Sequence, residues 1–236
     1  MKSNTLRRLC TLTYATLMLS QGLQAASVRV LAWNDDIALR KLAIADAKGP
    51  VLIEGMHPVQ RTRAYQITTG DKPATIQALD KIDKDGKPAA NPIIIPPGIK
   101  QPLLLLLPDA KTATGLQLLV LEDDAANFPW GGICLINASG QKLAFVYEKK
   151  STALPFSWNP VLVNPGGDNR NMGAEFFIYD EPQRPIYSSV WQQKKDVRNM
   201  VFIVPGTDVR LGVVSIKIVS ENRRVLEAQQ ANEKRP

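Results

Sequence analysis

Residues 91–98 read NPIIIPPG, and residues 159–166 read NPVLVNPG. Both octets open with Asn-Pro, continue with three apolar residues and close with Pro-Gly. Proline lacks a backbone N–H and therefore suits the first residue of a strand. Pro-Gly then presets a tight turn in which the glycine takes a positive φ. The octets therefore predict two similar strands, each followed by a turn.

The similarity continues upstream, where Gly70 and Lys72 match Gly140 and Lys142. We interpret this repetition as an internal duplication of a β-lobe of roughly 70 to 100 residues. The alternative interpretation is that two antiparallel sheets reuse the same turn residues. The stretch VFIVPG at residues 201–206, a third strand ending in Pro-Gly, favours that alternative.

Most of the chain consists of short runs rich in Val, Ile, Leu and aromatic residues, each bounded by Gly, Pro, Asn or Asp. This pattern predicts an all-β fold with two immunoglobulin-like β-sandwich lobes, at residues 26–124 and 128–220. The alternative is one larger β-sandwich. Residues 35–49 fit either a short helix or a pair of strands, and residues 221–236 are predicted to form a polar tail or short helix.

An unbroken apolar run at Leu103–Leu107 differs from the alternating pattern of a half-exposed strand. A strand in which every side chain is apolar is typical of one that is covered on both faces. We therefore expect this strand to lie at a contact between two sheets or between the two lobes.

The N-terminus has the order of a secretory signal peptide, which we assign to residues 1–25. Lys2, Arg7 and Arg8 precede a mostly apolar stretch at residues 9–20, and small residues follow at Ala25 and Ala26. The apolar stretch is shorter than the ~20 residues that span a bilayer. We expect a periplasmic or secreted protein whose mature chain has no membrane span.

The composition of the mature chain excludes several classes of protein. Residues 1–25 hold three of the 29 basic residues, which leaves 26 against 22 acidic residues, a net charge of +4. This mild charge, with no basic stripe, argues against nucleic-acid binding. Cys134 is the one cysteine left after removal of Cys10, so no intramolecular disulfide can form.

The sequence shows no catalytic constellation, no cofactor motif and no metal site. One histidine, His57, and one mature cysteine are too few for a zinc site. We expect His57 to lie in an exposed loop and Cys134 to be a small buried strand residue. A glycosidase needs only two carboxylates, and the available ones are Glu122, Asp123, Asp124, Asp168, Glu175, Asp180 and Glu181.

Four residues are candidates for ligand binding. Trp130 and Trp158 are predicted in loops, where an indole ring can stack on a sugar, whereas Trp33 and Trp191 are expected to pack in strands. Asp168 and Asn169 carry hard oxygen ligands in the loop GGDNRN, although a glycine-permitted turn explains that loop as well. We predict a non-catalytic exported protein that binds or supports an unidentified envelope protein or glycan. The alternative is a carbohydrate-binding or carboxylate-dependent carbohydrate-active module.

Overall fold

The computed structural model describes residues 24–69, 72–208, 210 and 212–233. Sixteen strands and two helices lie in these residues, and neither helix is long and apolar enough to cross a bilayer. The all-β prediction is therefore confirmed. The predicted signal peptide falls almost entirely outside the described residues.

The first half of the described chain forms two four-stranded sheets, with strand orders β4-β1-β7-β8 and β3-β2-β5-β6. Its elements are β1 (Gln24–Ala32), α1 (Asp35–Ala38), β2 (Leu42–Asp46), β3 (Gly49–Leu52), β4 (Tyr65–Thr69), β5 (Thr75–Ile82), β6 (Pro88–Pro92), β7 (Pro102–Pro108) and β8 (Leu116–Glu122).

The second half forms two further sheets, with strand orders β12-β9-β15-β16 and β11-β10-β13-β14. Its elements are β9 (Ile133–Asn137), β10 (Leu143–Tyr147), β11 (Lys150–Leu154), β12 (Ser157–Val163), β13 (Arg170–Ile178), β14 (Tyr187–Gln193), β15 (Val197–Pro205), β16 (Val214–Asn222) and α2 (Arg223–Glu233).

The two halves share one strand order, because β9 to β16 occupy in sequence the places that β1 to β8 occupy in the first half. In each half the first strand also pairs in parallel with the seventh, β1 with β7 and β9 with β15. Two β-sandwich lobes with the same topology are thus formed, which we call lobe 1 (β1–β8) and lobe 2 (β9–β16).

The two octets do not occupy equivalent strands, so the correspondence predicted from them is wrong. Asn91 is the last residue but one of β6, the sixth strand of lobe 1, and residues 93–97 lie in no strand, so the strand predicted in the first octet is also wrong. Asn159 lies inside β12, the fourth strand of lobe 2. Strand pairing shifts register around Pro160, as is typical of a proline in an edge strand. The turn prediction is correct, since Gly98 and Gly166 both have positive φ.

The run Leu103–Leu107 lies in β7 and is buried on both faces, as predicted. Leu104 and Leu106 join the core of lobe 1. Leu103, Leu105 and Leu107 point the other way, into a separate apolar core that also contains residues of lobe 2. Successive side chains of a strand alternate between its faces, so one strand serves two cores.

This third core, which we call the inter-lobe core, joins the inner sheets of the two lobes. Lobe 1 supplies residues of β1, β7 and β8, and lobe 2 supplies residues of β9, β15 and β16. On β15, Met200 and Phe202 face the inter-lobe core, and Val201 and Ile203 face the core of lobe 2. The four sheets are therefore stacked with three apolar layers between them.

Residues 35–49 contain both of the structures that the sequence left open. Asn34 caps α1, because its Oδ1 accepts a hydrogen bond from the backbone N–H of Ile37 at 3.1 Å, an N-cap of the usual kind. The chain then enters β2 and turns into β3. The C-terminal helix α2 follows β16 directly, and most of its residues are exposed.

The turn between β10 and β11 generates a stability prediction. Glu148 and Lys149 have backbone φ angles of 44° and 66°. Residues other than glycine adopt such values at a cost of roughly 1–2 kcal/mol. Lys149→Gly removes that cost at one position, and we expect it to stabilise the protein by about 1 kcal/mol. Urea unfolding measures the change.

Lys84→Gly is the matched control, because Lys84 lies in the turn between β5 and β6 without a positive φ. There the added chain entropy of glycine destabilises the fold by about 0.5–1 kcal/mol. Equal effects of the two substitutions would contradict the assignment of strain to the β10–β11 turn.

Candidate functional site

A cleft of 1310 Å³ lies beside the inter-lobe core. Lobe 1 lines it with β1 and with the loop between β3 and β4, and lobe 2 lines it with β14, β15 and β16. Val225 and Leu226 of α2 form part of its wall. The cleft thus requires both lobes and the C-terminal helix.

Charged residues at the floor of the cleft continue the strand faces that form the inter-lobe core. On β1, Arg29 lies two residues before Leu31, and on β15, Arg198 lies two residues before Met200. On β16, Glu221 lies two residues after Val219. Since side chains repeat their face every second residue, these charges lie at the edge of the apolar interface.

Arg198 and Glu221 are paired directly across β15 and β16. Arg198 Nε and Nη2 donate to Glu221 Oε2 at 2.8 and 2.6 Å. Arg198 Nη1 donates to the carbonyl oxygens of Asp123 and Phe128 at 2.9 and 3.0 Å. The Arg198 guanidinium therefore ties β15 to the segment that connects the lobes.

Asp123, just after β8, is the acceptor for two arginines of lobe 1. Arg61 Nε donates to Asp123 Oδ2 at 3.0 Å, and Arg29 Nη2 donates to the same oxygen. Arg29 Nη1 also donates to Glu221 Oε1 at 2.5 Å, across the lobes. We call Arg29, Arg61, Asp123, Arg198 and Glu221 the charge network.

The charge network is largely removed from water. The side chains of Arg61 and Arg198 are 2% exposed and that of Asp123 is 1% exposed. Burial alone would raise the pKa of Glu221, but the charges of Arg61, Arg29 and Arg198 and a hydrogen bond from Arg29 lower it to about 2. Burial alone would lower the pKa of Arg29. The charges of Asp123 and Glu221, and the hydrogen bonds to them, outweigh the effect of burial, so the pKa of Arg29 is raised.

The opposite end of the inter-lobe core carries an aromatic and lysine contact. Lys217 Nζ lies 4.5 Å from the centre of the Trp33 ring and donates to the Trp33 carbonyl oxygen. Burial lowers the pKa of Lys217 to about 8, and Asp35 offsets that effect in part. Polar contacts between the lobes therefore lie at both ends of the apolar interface.

The four predicted ligand-binding residues lie in three different places. Trp130 lines the cleft, and the Arg198 guanidinium lies over its ring at 4.8 Å. Trp158 packs edge-on against Trp33 with ring centroids 6.2 Å apart. It lies in β12 rather than in a loop, because an edge strand tolerates Pro160, so that part of the prediction is wrong.

Asp168 and Asn169 lie in the exposed turn before β13. The backbone oxygen of Asp168 accepts from Arg170 Nη1 at 3.1 Å, and Asn169 Oδ1 accepts from the backbone N–H of Lys195 at 2.9 Å. Positive φ at Gly166 and Gly167 shapes the turn. Neither residue is among those that line the cleft.

Cys134 and His57, the other residues considered for catalysis or metal binding, are a buried core residue and an exposed loop residue. Cys134 is 1% exposed in the inter-lobe core, and burial raises the pKa of its thiol to about 12, so it is not a reactive thiolate at neutral pH. His57 is exposed, and its Nδ1 accepts from Val59 N–H at 3.1 Å. The described residues contain no cluster of three His, Cys, Asp or Glu side chains suited to a metal ion.

The charge network was missed in the sequence, although the alternation rule contains the signal for it. Arg29 stands between Val28 and Val30, and Arg198 precedes an apolar run in the same strand. An arginine inside an apolar strand must either face water or meet a buried partner. Its partner cannot be read from the sequence, because Glu221 is 192 residues away from Arg29.

No protein-family model matches the chain, and the comparison with curated proteins gives no match.

Glu221 makes the stability of the protein sensitive to acid. The pKa of a glutamate in an unfolded chain is near 4.3, and in the fold it is lower, about 2. The unfolded chain therefore binds more protons in this range, and the stabilisation is complete above about pH 4.5 and is lost as the pH falls toward 2. We expect a loss of about 3 kcal/mol at most from this group, measured by urea unfolding at successive pH values.

Glu221→Gln should flatten this part of the pH profile while lowering stability at pH 7, because a buried arginine then lacks its counter-charge. Glu227→Gln, in an exposed residue of α2, is the control and should retain the wild-type profile. An unchanged acid dependence in Glu221→Gln would show that Glu221 is not the responsible group.

Proposed function

We propose that this is an exported, non-catalytic β-sandwich protein that binds another component of the cell envelope in its inter-lobe cleft. The single observation that carries the proposal is the cleft itself, whose 1310 Å³ lie between two lobes joined through an apolar core. Binding sites are most often found at such junctions, and pockets for small ligands measure about 300–1,000 Å³. A larger cleft suits a polypeptide segment or an oligosaccharide.

Export is supported by the signal-like order of residues 1–25. Cleavage after Ala25 or Ala26 leaves Ser27–Ala32 of β1, which include Arg29 and the residues that pair with β7. The mature chain would therefore retain the charge network and the inter-lobe core. A fold that buries three apolar layers also has less need of a disulfide.

The charge network supports a role without catalysis. A glycosidase acid must hold a proton near neutral pH, whereas Glu221 has a pKa of about 2. Asp123 accepts hydrogen bonds from Arg29 and Arg61. Both carboxylates are thus engaged by arginines and are poor candidates for acid–base chemistry.

Site-specific photocrosslinking tests the binding role. A photoreactive amino acid at Val190, which is 67% exposed and lines the cleft, should give one reproducible adduct in cells that export the protein. The same group at Leu39, which is 84% exposed and outside the cleft, is the matched control. Absence of a Val190-specific adduct, or identical adducts at both positions, would contradict the proposal.

A glycan-binding module is the second candidate, and the position of Trp130 in the cleft favours it. On a glycan array this function gives reproducible binding that Trp130→Ala removes, because the ring that stacks on the sugar is lost. Trp158→Ala, which changes a tryptophan packed against Trp33, should leave that binding intact. Binding that survives Trp130→Ala would exclude this site.

We also infer that the lobes arose by duplication. The inference is supported by their common strand order and by the parallel first and seventh strands in each lobe. The two octets do not support it, since they lie in non-equivalent strands.

A further inference from the structure

We propose that Arg29 and Arg61, at the floor of the cleft, bind an anionic oxygen group of the ligand, either a carboxylate or a phosphate. This inference rests on the proposed function of the cleft as a binding site. It adds the chemical class of the group that is recognised and the two residues that recognise it.

The charge network carries one uncompensated positive charge. Three guanidinium groups, those of Arg29, Arg61 and Arg198, share the two carboxylates of Asp123 and Glu221. Attraction between charges strengthens where water is excluded, and the arginine side chains here are at most 15% exposed. An anion in the cleft would neutralise the network.

The unused hydrogen-bond donors of the network belong to the two arginines of lobe 1. Arg61 donates through Nε and Nη2 to Asp123, and its Nη1 donates to no described residue. Arg29 donates through Nη1 and Nη2, and its Nε likewise has no described acceptor. Every fully buried polar side-chain atom of the described chain has a partner, so neither of these two nitrogens is fully buried, and both residues line the cleft.

Asp123 holds the two guanidinium groups side by side, since Arg29 Nη2 and Arg61 Nε donate to the same oxygen, Oδ2. Neither side chain has to be ordered on binding, because each is already fixed by hydrogen bonds. A planar guanidinium matches the oxygens of a carboxylate or phosphate. Arg198 differs, because it uses Nε, Nη1 and Nη2 within the protein.

The rim of the cleft has the same sign of charge. Arg63 and Lys194 line it, against the single carboxylate of Glu54. Arg63 Nη2 lies 3.4 Å from Glu54 Oε2, in an exposed ion pair that is weak in water. The field of the rim therefore also favours an anionic ligand.

The test titrates the full chain with inorganic phosphate and, separately, with succinate, at pH 7 and constant ionic strength set with chloride. Calorimetry gives the Kd, and thermal unfolding gives the shift in Tm that accompanies binding. We expect saturable binding of at least one probe at one site. Preference for phosphate or for succinate then distinguishes a phosphorylated ligand from one that presents a carboxylate.

Two variants assign the binding to the network. Arg61→Gln should abolish saturable binding of the probe. Glu221→Gln keeps all three arginines and removes one neighbouring negative charge, so the Kd should fall about tenfold although the variant is less stable. Glu148→Gln, in an exposed pair with Arg170 outside the cleft, is the control and should have the wild-type Kd.

Glu221→Gln is expected to lower the stability of the protein but to raise its affinity for the probe. This variant therefore still tests the inference if Arg61→Gln fails to fold. No saturable binding of either probe at millimolar concentration, or the same Kd in Glu221→Gln and Glu148→Gln, would overturn the anion site. If the Val190 photoadduct still forms in that case, the cleft binds its partner by other contacts and only the anion site is wrong.

Discussion

Burial of β7 on both of its faces is the constraint on which the architecture depends. Five consecutive leucines cannot be covered by one sandwich, because a strand at the face of a sandwich exposes every second side chain. Leu104 and Leu106 are covered within lobe 1, and Leu103, Leu105 and Leu107 are covered by lobe 2. The second lobe therefore covers the face of β7 that the first lobe alone would leave exposed to water.

An apolar interface of this kind stabilises the contact between the two lobes but specifies their relative orientation poorly, because hydrophobic burial is non-directional. The polar contacts at the two ends of the interface specify that orientation. The charge network lies at one end, and the contact of Lys217 with Trp33 lies at the other. Ion pairs in such surroundings contribute little net stability, but losing one partner is costly. The network that orients the lobes also forms the floor of the cleft.

The sequence was most informative where the outcome depends on neighbours along the chain. Alternation and turn residues predicted the all-β class, and the leucine run predicted a strand covered on both sides. The burial of Cys134 followed from Ile133 and Leu135 on either side of it. The octets wrongly predicted equivalent strands, because Pro and Gly indicate only the local turn, and the same turn occurs at non-equivalent places in the two lobes. Trp158 was placed in a loop because Asn159-Pro160 was taken as the start of the strand, whereas β12 begins at Ser157 and carries Pro160 inside it.

By itself the sequence determined the local periodicity, and with it the all-β class, the positions of the tight turns and the two-sided burial of β7. Only the tertiary structure decided which strands are neighbours and that Arg29, Asp123 and Glu221 meet. It also decided that Trp130 and Trp158 lie apart. The physical reason is that backbone geometry fixes the period of a strand within a few residues, whereas a buried ion network depends on distances between segments far apart in the chain.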